Sequence, residues 1–450
     1  MMNWLQLLSS KRPGKSSGQE GQSIIRTAFE QDYDRIIFSS PFRMLQDKTQ
    51  VFPMPKHDFV HTRLTHSLEV SSVGRSLGKK AGEVLITRHQ RLQQSQVSSY
   101  EIGSIVAAAS LTHDLGNPPF GHSGEDAISG FFLQNPAASI FKALVSVAEW
   151  EDLVNFEGNA QGFRLLNKQQ YQGLKLTCAT LAAFTKYPRP SLIKERDKKR
   201  KSQKKYGFYV SEADIFRQVA EETGLKNLDE EQQIWSRHPL AFLVEAADDI
   251  CYHIIDLEDG CNAGLVSFET TRDLMAMIIG KKYQPDKLNR IPNQREKVGL
   301  LRALAIGELI TQATQVFLDE EQAILSGKYD LALTGQIAAT PILKEIIKLS
   351  VDKIYKSQQV LDIEAAGFEV IDGLLQMFLL ASHAVAFSDQ ATPRQWAIYR
   401  LLPEEVKYLI QEDGKISPYL VVRQVLDFIS GLTDSNAISL YRKIKGISLV

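Results

Sequence analysis

The sequence predicts an all-α protein: a mostly helical chain with a small β-hairpin and a C-terminal helical extension. Apolar residues recur at helical spacing through most of its 450 residues, and clear period-two strands are scarce. Ile102, Ile105, Val106 and Ala109 form one apolar face just before His113. Leu243, Ala247, Ile250, Ile254 and Leu257 form another within 240–257. The stretches Pro341 to Tyr355 and Val370 to Ala386 behave alike. Lys205 to Val210 is the candidate for one half of the hairpin. Two segments read as loose: the polar start, within a flexible stretch 1–22, and Lys194 to Lys205. The latter holds eight Lys or Arg in twelve residues, the composition of a solvated loop.

Bulk properties exclude several function classes. Lys plus Arg is 52 and Asp plus Glu is 53, so nothing global attracts nucleic acid or membrane. Any polyanion site must come from local clustering. Cys178, Cys251 and Cys261 show no CxxC or disulfide-framework spacing, which fits a reducing compartment. The short apolar patch Trp4 to Leu8 precedes its basic residues, the reverse of a signal peptide. No run of 18 apolar residues occurs, so neither a transmembrane helix nor a membrane partner is expected, and the expected location is cytoplasmic.

The most informative segment runs from Leu111 to Glu125. An apolar helix delivers adjacent His113 and Asp114, and Gly116, Pro118 and Pro119 then break it. Neighbours on a helix point about 100° apart, so both reach one ion only near a helix end. A packed histidine beside a capping aspartate is the competing reading. It leaves unexplained why His122 and Glu125 follow, three residues apart, in a Gly-rich turn. Upstream lie His61 and His66. Downstream, Asp248 and Asp249 interrupt an apolar helix, a costly placement unless one is paired, metal-bound or exposed. Two imidazoles and two carboxylates suit a divalent ion that assists phosphate-ester hydrolysis, and the lack of Cys ligands argues against structural zinc.

The order His66, His113-Asp114, Asp248 resembles the HD-superfamily signature. Together with Phe42 to Phe52, Thr62 to His66, His113 to His122, Asn155 to Gln161 and Glu245 to Ile250, it resembles the bacterial deoxyguanosinetriphosphate triphosphohydrolase (dGTPase) family over residues 20 to 270. The resemblance implies hydrolysis of a dNTP, dGTP first, at the α-phosphate, giving a deoxynucleoside and inorganic triphosphate. It implies a catalytic core over 23–270 and a C-terminal helical region over 271–450 that serves oligomerisation and completes the site. It implies His66, His113, Asp114 and Asp248 as ligands of manganese, magnesium or another first-row transition metal, and His122 and Glu125 as a catalytic pair. A histidine near neutral pKa exchanges a proton with the ester, and a carboxylate three residues on fixes its tautomer. Whether His122 acts as acid or base stays open at this point.

The resemblance also places Gln50 on the sugar 3′ hydroxyl and Val51 against the 2′ position. Tyr252, four residues after Asp248, shares its helix face, and Asp256 continues that face toward the 3′ hydroxyl. Arg63, Asn159 and Lys186 are the triphosphate candidates, each with a competing reading as a surface or capping residue. Relatives are homo-oligomers, often hexamers and sometimes tetramers. The closing segment Tyr441 to Gly446 resembles the family's end and makes Arg442 a candidate phosphate contact across a subunit interface. The basic run Lys194 to Lys205 folds over the site or binds single-stranded nucleic acid if it is more than a solvated loop. A cyclic-nucleotide phosphodiesterase or guanosine tetraphosphate hydrolase shares the metal logic, but should lack the His122–Glu125 pair and the Phe42 to Phe52 block. A non-catalytic nucleotide or nucleic-acid-binding regulator is disfavoured by the intact ligand and acid/base positions.

Overall fold

The computed structural model describes residues 1–14, 26–50, 61–95, 97–168, 173–356, 358–388, 390–412 and 417–448. It is mainly α-helical, with a single two-stranded sheet among the described residues. The helical stretches read from periodicity appear as helices Ser99–Thr112, Pro239–Asn262, Thr340–Lys353 and Gln358–Phe387. Their starts follow local rules. Ser98 and Glu101 form a capping box on the first, and Pro239 occupies the opening turn of the second behind His238.

The side chains pack into two cores. The first joins helix Arg63–Arg88 to Ser99–Thr112, Pro239–Asn262 and Gln294–Asp319 through residues such as Leu77, Ile105, Leu243 and Leu309. The second joins helix Gly121–Gln134 to Gln358–Phe387 and Pro418–Gly431 through Phe131, Ile371, Phe378 and Val425. These cores do not divide at residue 270: Phe120 to Phe156 belong with the C-terminal helices, and Val266 to Ile354 belong with the first core. The chain crosses between cores in the turn that follows His113.

Close helix approach sets the first core. A Cβ on Gly74 would lie 2.4 Å from Ser110 Oγ, and one on Gly78 would lie 2.9 Å from Val106 Cγ2. Only glycines let these two helices meet at that distance, and this contact brings His66 and His113 together.

A buried ionic cluster ties the cores. Arg164 meets Asp427 through Nε at 2.8 Å and Nη2 at 2.9 Å, and Glu212 through Nη1 at 2.6 Å. Asp427 also accepts from Gln161 Nε2 at 2.8 Å, and the Arg423 guanidinium lies 3.5 Å over the Tyr209 ring.

Two expectations change. The hairpin pairs Asn227–Asp229 with Ile234–Trp235, while 205–210 is not a strand. Tyr206, Phe208 and Tyr209 are all buried, so this stretch has no exposed alternate face. The start of the chain is packed rather than loose: Trp4 and Leu7 are buried, and Trp4 Nε1 donates to Glu321 at 2.9 Å. Residues 15–22 lie outside the described residues. Lastly, Leu361–Phe387 is long and apolar enough to cross a membrane by length and composition. Its face Ile371, Leu374, Leu375 and Phe378 is buried in the second core.

Candidate active site

Helix Ser99–Thr112 ends at His113, which caps it, so His113 and Asp114 leave the helix where their side chains can converge. The ligand atoms of His66, His113 and Asp114 all lie within 4.8 Å of one another. Asp248, from the middle of Pro239–Asn262, completes the cluster. Its Oδ1 is 3.3 Å from His66 Nε2 and 3.5 Å from His113 Nε2. His113 Nδ1 lies 2.7 Å from the Ser110 carbonyl, which only accepts, so Nδ1 carries a proton and Nε2 is the ring nitrogen turned toward the cluster. That nitrogen, beside a second imidazole and two carboxylates, fits a divalent cation.

The carboxylates are held ready. Burial opposes ionisation of Asp114, but the Arg63 guanidinium and the His113 and His66 rings bring it down to about 2. Arg63 Nη1 donates to Asp114 Oδ2 at 2.8 Å, and Asn117 Nδ2 donates to Oδ1 at 2.6 Å. Asp248 is likewise buried, yet His113 and His66 hold it far below the usual carboxylate range. Asp249, one step round the helix, accepts from the Thr334 hydroxyl instead.

The turn after Asp114 delivers the second pair. Phe120 sits in the left-handed region at φ 65°, a strained conformation for a bulky residue, and starts helix Gly121–Gln134. His122 and Glu125 are one helical turn apart on it. His122 Nδ1 donates to Glu125 Oε2 at 2.8 Å, leaving Nε2 for substrate. The His122 side chain is 81% exposed at the pocket rim, whereas Glu125 is buried. Its partner's hydrogen bond raises the His122 pKa against burial. Burial pushes Glu125 up, but His122, Lys205 and the Gly158 N–H more than offset it. Gly158 N donates to Glu125 Oε1 at 2.7 Å.

These groups line one cavity of about 300 Å³. Gln50, Arg63, Asn159, Lys186 and Tyr252 line it too, five of the eight substrate positions read from the sequence. Gln50 Oε1 is buried without a hydrogen-bond partner among the described residues. Lys186 Nζ stands 3.3 Å from Glu245, and Asn159 Nδ2 donates to Glu157 at 2.6 Å. Of the other three, two lie elsewhere. Val51 is outside the described residues. Asp256 is buried off the cavity and accepts from the Tyr355 hydroxyl, and burial pushes its carboxyl up to about 8. Arg442 is exposed in the last turn of helix Asp434–Ile444, away from this chain's own cavity.

Sequence reasoning missed Lys205, Asn117 and Tyr187 as lining residues. Lys205 ends the basic run. Its Nζ lies 2.9 Å from Glu157 and 3.9 Å from Glu125. Lys201 pairs with Glu245 at 3.1 Å, while Lys194 is exposed. The signal was the aromatic stretch Tyr206-Gly-Phe-Tyr, whose burial anchors the end of the run over the site. Glu245 was quoted only as part of a motif. Despite burial, Arg237, Lys186 and Lys201 hold its pKa down to about 2, so it fixes these three cations beside the cavity.

Comparison with known proteins agrees with this geometry. A family model for the phosphohydrolase-associated domain matches residues 337–443. The chain is 44% identical to the deoxyguanosinetriphosphate triphosphohydrolase-like protein of Synechocystis sp., over 100% of both chains. It is 37% identical to the protein of that name in Pseudomonas aeruginosa, over 99% of each. With the deoxyguanosinetriphosphate triphosphohydrolase of Yersinia enterocolitica it shares 30% identity, over 98% of this chain and 99% of the relative. Full-length similarity at these levels, together with the His66, His113-Asp114, Asp248 cluster beside a His122–Glu125 pair, means that the chain belongs to the deoxyguanosinetriphosphate triphosphohydrolase family.

Proposed function

We propose that this protein hydrolyses a deoxynucleoside triphosphate, dGTP first, to a deoxynucleoside and inorganic triphosphate in a divalent-metal-dependent reaction. The observation that carries the reading is one cavity joining a four-residue ligand cluster to an open histidine with a buried carboxylate behind it. His66, His113, Asp114 and Asp248 would hold the cation. Manganese or magnesium suits such a set, and supplies Lewis-acid neutralisation of phosphate charge when bound.

The remaining chemistry belongs to the chain. Water adds to the α-phosphorus and releases a proton to solvent, the bond from phosphorus to O5′ breaks, and O5′ needs a proton. His122 supplies it from Nε2: Glu125 accepts from Nδ1–H and, by raising the pKa, favours the protonated ring. Arg63, Lys186 and Lys205 face the leaving triphosphate, with Asn159 beside them. Gln50, whose buried oxygen lacks a partner among the described residues, receives the 3′ hydroxyl, and Tyr252 walls off the 2′ position. Asp256 acts behind Tyr355 and Tyr252, whose rings lie 5.9 Å apart, and joins the sugar site only if Tyr355 gives it up.

The reading places the enzyme with the cytoplasmic deoxynucleotide pool, as a homo-oligomer, hexamer before tetramer. Exposed apolar side chains such as Leu133, Val147, Phe368 and Leu401 favour association. Exposed Arg442 is then free to reach a neighbour's site. The purified protein should be tested on all four dNTPs, singly and mixed, with manganese or magnesium. Release of triphosphate supports the reading. Release of pyrophosphate or a monophosphate alone replaces it with another HD phosphohydrolase.

A further inference from the structure

Asp434 ties the C-terminal segment to two turns of the active site. Asp434 opens helix Asp434–Ile444 and is only 2% exposed. Its Oδ1 accepts the Phe120 N–H at 3.0 Å. Its Oδ2 accepts the Thr49 N–H at 3.0 Å and the Thr49 hydroxyl. Thr49 immediately precedes Gln50, and Phe120 lies two residues before His122. The buried Lys48 reinforces the junction, donating to the carbonyls of Asn117 at 2.6 Å and Ser430 at 2.7 Å. Thr49 also bridges Thr62, the cap of the helix that carries Arg63 and His66.

We propose that Asp434 is a positioning residue that fixes the sugar-binding limb at Gln50 relative to the proton-donating turn at His122. This rests on the function proposed above. A deoxynucleotide must place its 3′ hydroxyl on one limb while O5′ meets the other. The two limbs are far apart in sequence, and neither Phe120 nor Thr49 bonds directly to the other. One carboxylate, using both oxygens, sets their separation together with the Lys48 ammonium beside it. The consequence is specificity as well as rate, because a substrate without a 3′ hydroxyl gains nothing from a correctly placed Gln50. The phosphohydrolase-associated segment, which contains Asp434, thereby acts on the chemistry of its own chain.

The isosteric variant Asp434→Asn is the sharpest perturbation. Either orientation of the carboxamide turns an NH₂ group onto one of the two backbone N–H donors, so one limb must shift. The full-length protein is first shown to release triphosphate from dGTP with manganese; a wild-type protein that releases none sinks the proposed function itself. Then kcat and KM are measured with dGTP and with 2′,3′-dideoxyguanosine triphosphate. A shift of about 1 Å in a reacting group costs on the order of 10²-fold in rate. For Asp434→Asn the expectation is a fall of about 10- to 100-fold in kcat for dGTP and a roughly tenfold loss of preference for the 3′ hydroxyl, with manganese affinity and helical content retained. Thr49→Val, which removes only the hydroxyl contact, should move both readouts the same way by less, and decides the matter alone if Asp434→Asn does not fold. A folded variant with unchanged kcat and preference overturns the proposal. So does an equal loss on both substrates, which would mean a merely structural role.

Discussion

Replacing Gly158 with alanine sets a favourable local effect against an unfavourable one, and the distances decide between them. Gly158 is the first residue of helix Gly158–Asn167, where alanine is the better helix former by about 0.5–1 kcal/mol. A Cβ there would stand 2.4 Å from Asn117 Oδ1 and 2.7 Å from Glu125 Oε1, against an ordinary contact of at least 3.4 Å. The carboxamide must therefore retreat by about 1 Å (3.4 − 2.4) and the carboxylate by about 0.7 Å (3.4 − 2.7). Overpacking of this kind costs about 1–3 kcal/mol, so the net loss of stability runs from about zero to 2.5 kcal/mol. Catalysis carries the larger penalty. Asn117 orients Asp114, Glu125 orients His122, and the Gly158 N–H itself holds Glu125. A displacement near 1 Å predicts a loss of about 10²-fold in kcat. The assay is triphosphate release from dGTP under saturating manganese, with thermal unfolding alongside. Because Glu125 transmits the effect, Gly158→Ala combined with Glu125→Gln should lose far less than the product of the two single losses. A folded Gly158→Ala enzyme with wild-type kcat would refute the reasoning.

Five further outcomes follow from the same geometry. His113→Ala should abolish manganese binding, read by equilibrium dialysis, and activity together while helical content stays; retained activity without bound metal would sink the ligand assignment. His122→Ala should lower turnover by about 10²–10⁴-fold with metal retained. Because Glu125 raises the His122 pKa and the acid form is the working one, kcat should fall as pH rises through that raised value, and Glu125→Gln should move this limb toward lower pH; a limb that moves upward would contradict the acid role. GTP should be turned over about 10- to 100-fold more slowly than dGTP, since an unpaired buried hydroxyl costs about 1–3 kcal/mol; equal rates would remove the sugar filter. Asp427→Ala leaves Arg164 buried without its bidentate partner and should destabilise the fold by about 3–5 kcal/mol in denaturant titration, and a change under 1 kcal/mol would show the pair to be dispensable.

How much of this was legible in the sequence depends on whether the governing contact was local. The long helices were visible because a face such as Leu243, Ala247, Ile250 and Ile254 must repeat with the helix period to reach the core. The end of helix Ser99–Thr112 at His113 was visible because Gly116 and the two prolines after it forbid continuation. The His122–Glu125 pair needed only the i,i+3 geometry of one turn. What escaped depends on residues far apart in the chain. Lys205 was hidden in a run whose composition says solvent, because its partners Glu157 and Glu125 lie 48 and 80 positions away and only tertiary packing brings them near. The packed start of the chain was hidden for the same reason: Trp4 is answered by Glu321. Asp256 failed in the opposite sense. Helical spacing placed it on the face of Asp248 and Tyr252, but spacing cannot reveal that Tyr355 arrives from another helix connection and takes its carboxylate. The division into cores shows the same logic at larger scale. A cut at residue 270 follows where the motifs end, yet the turn after Asp114 sends His122 and Glu125 out on a helix that packs on residues beyond 370. The site therefore lies where the two cores meet, with the proposed metal ligands supplied from one and the proposed proton donor from the other. That arrangement makes the C-terminal segment part of the catalytic geometry, although none of its described residues lines the cavity.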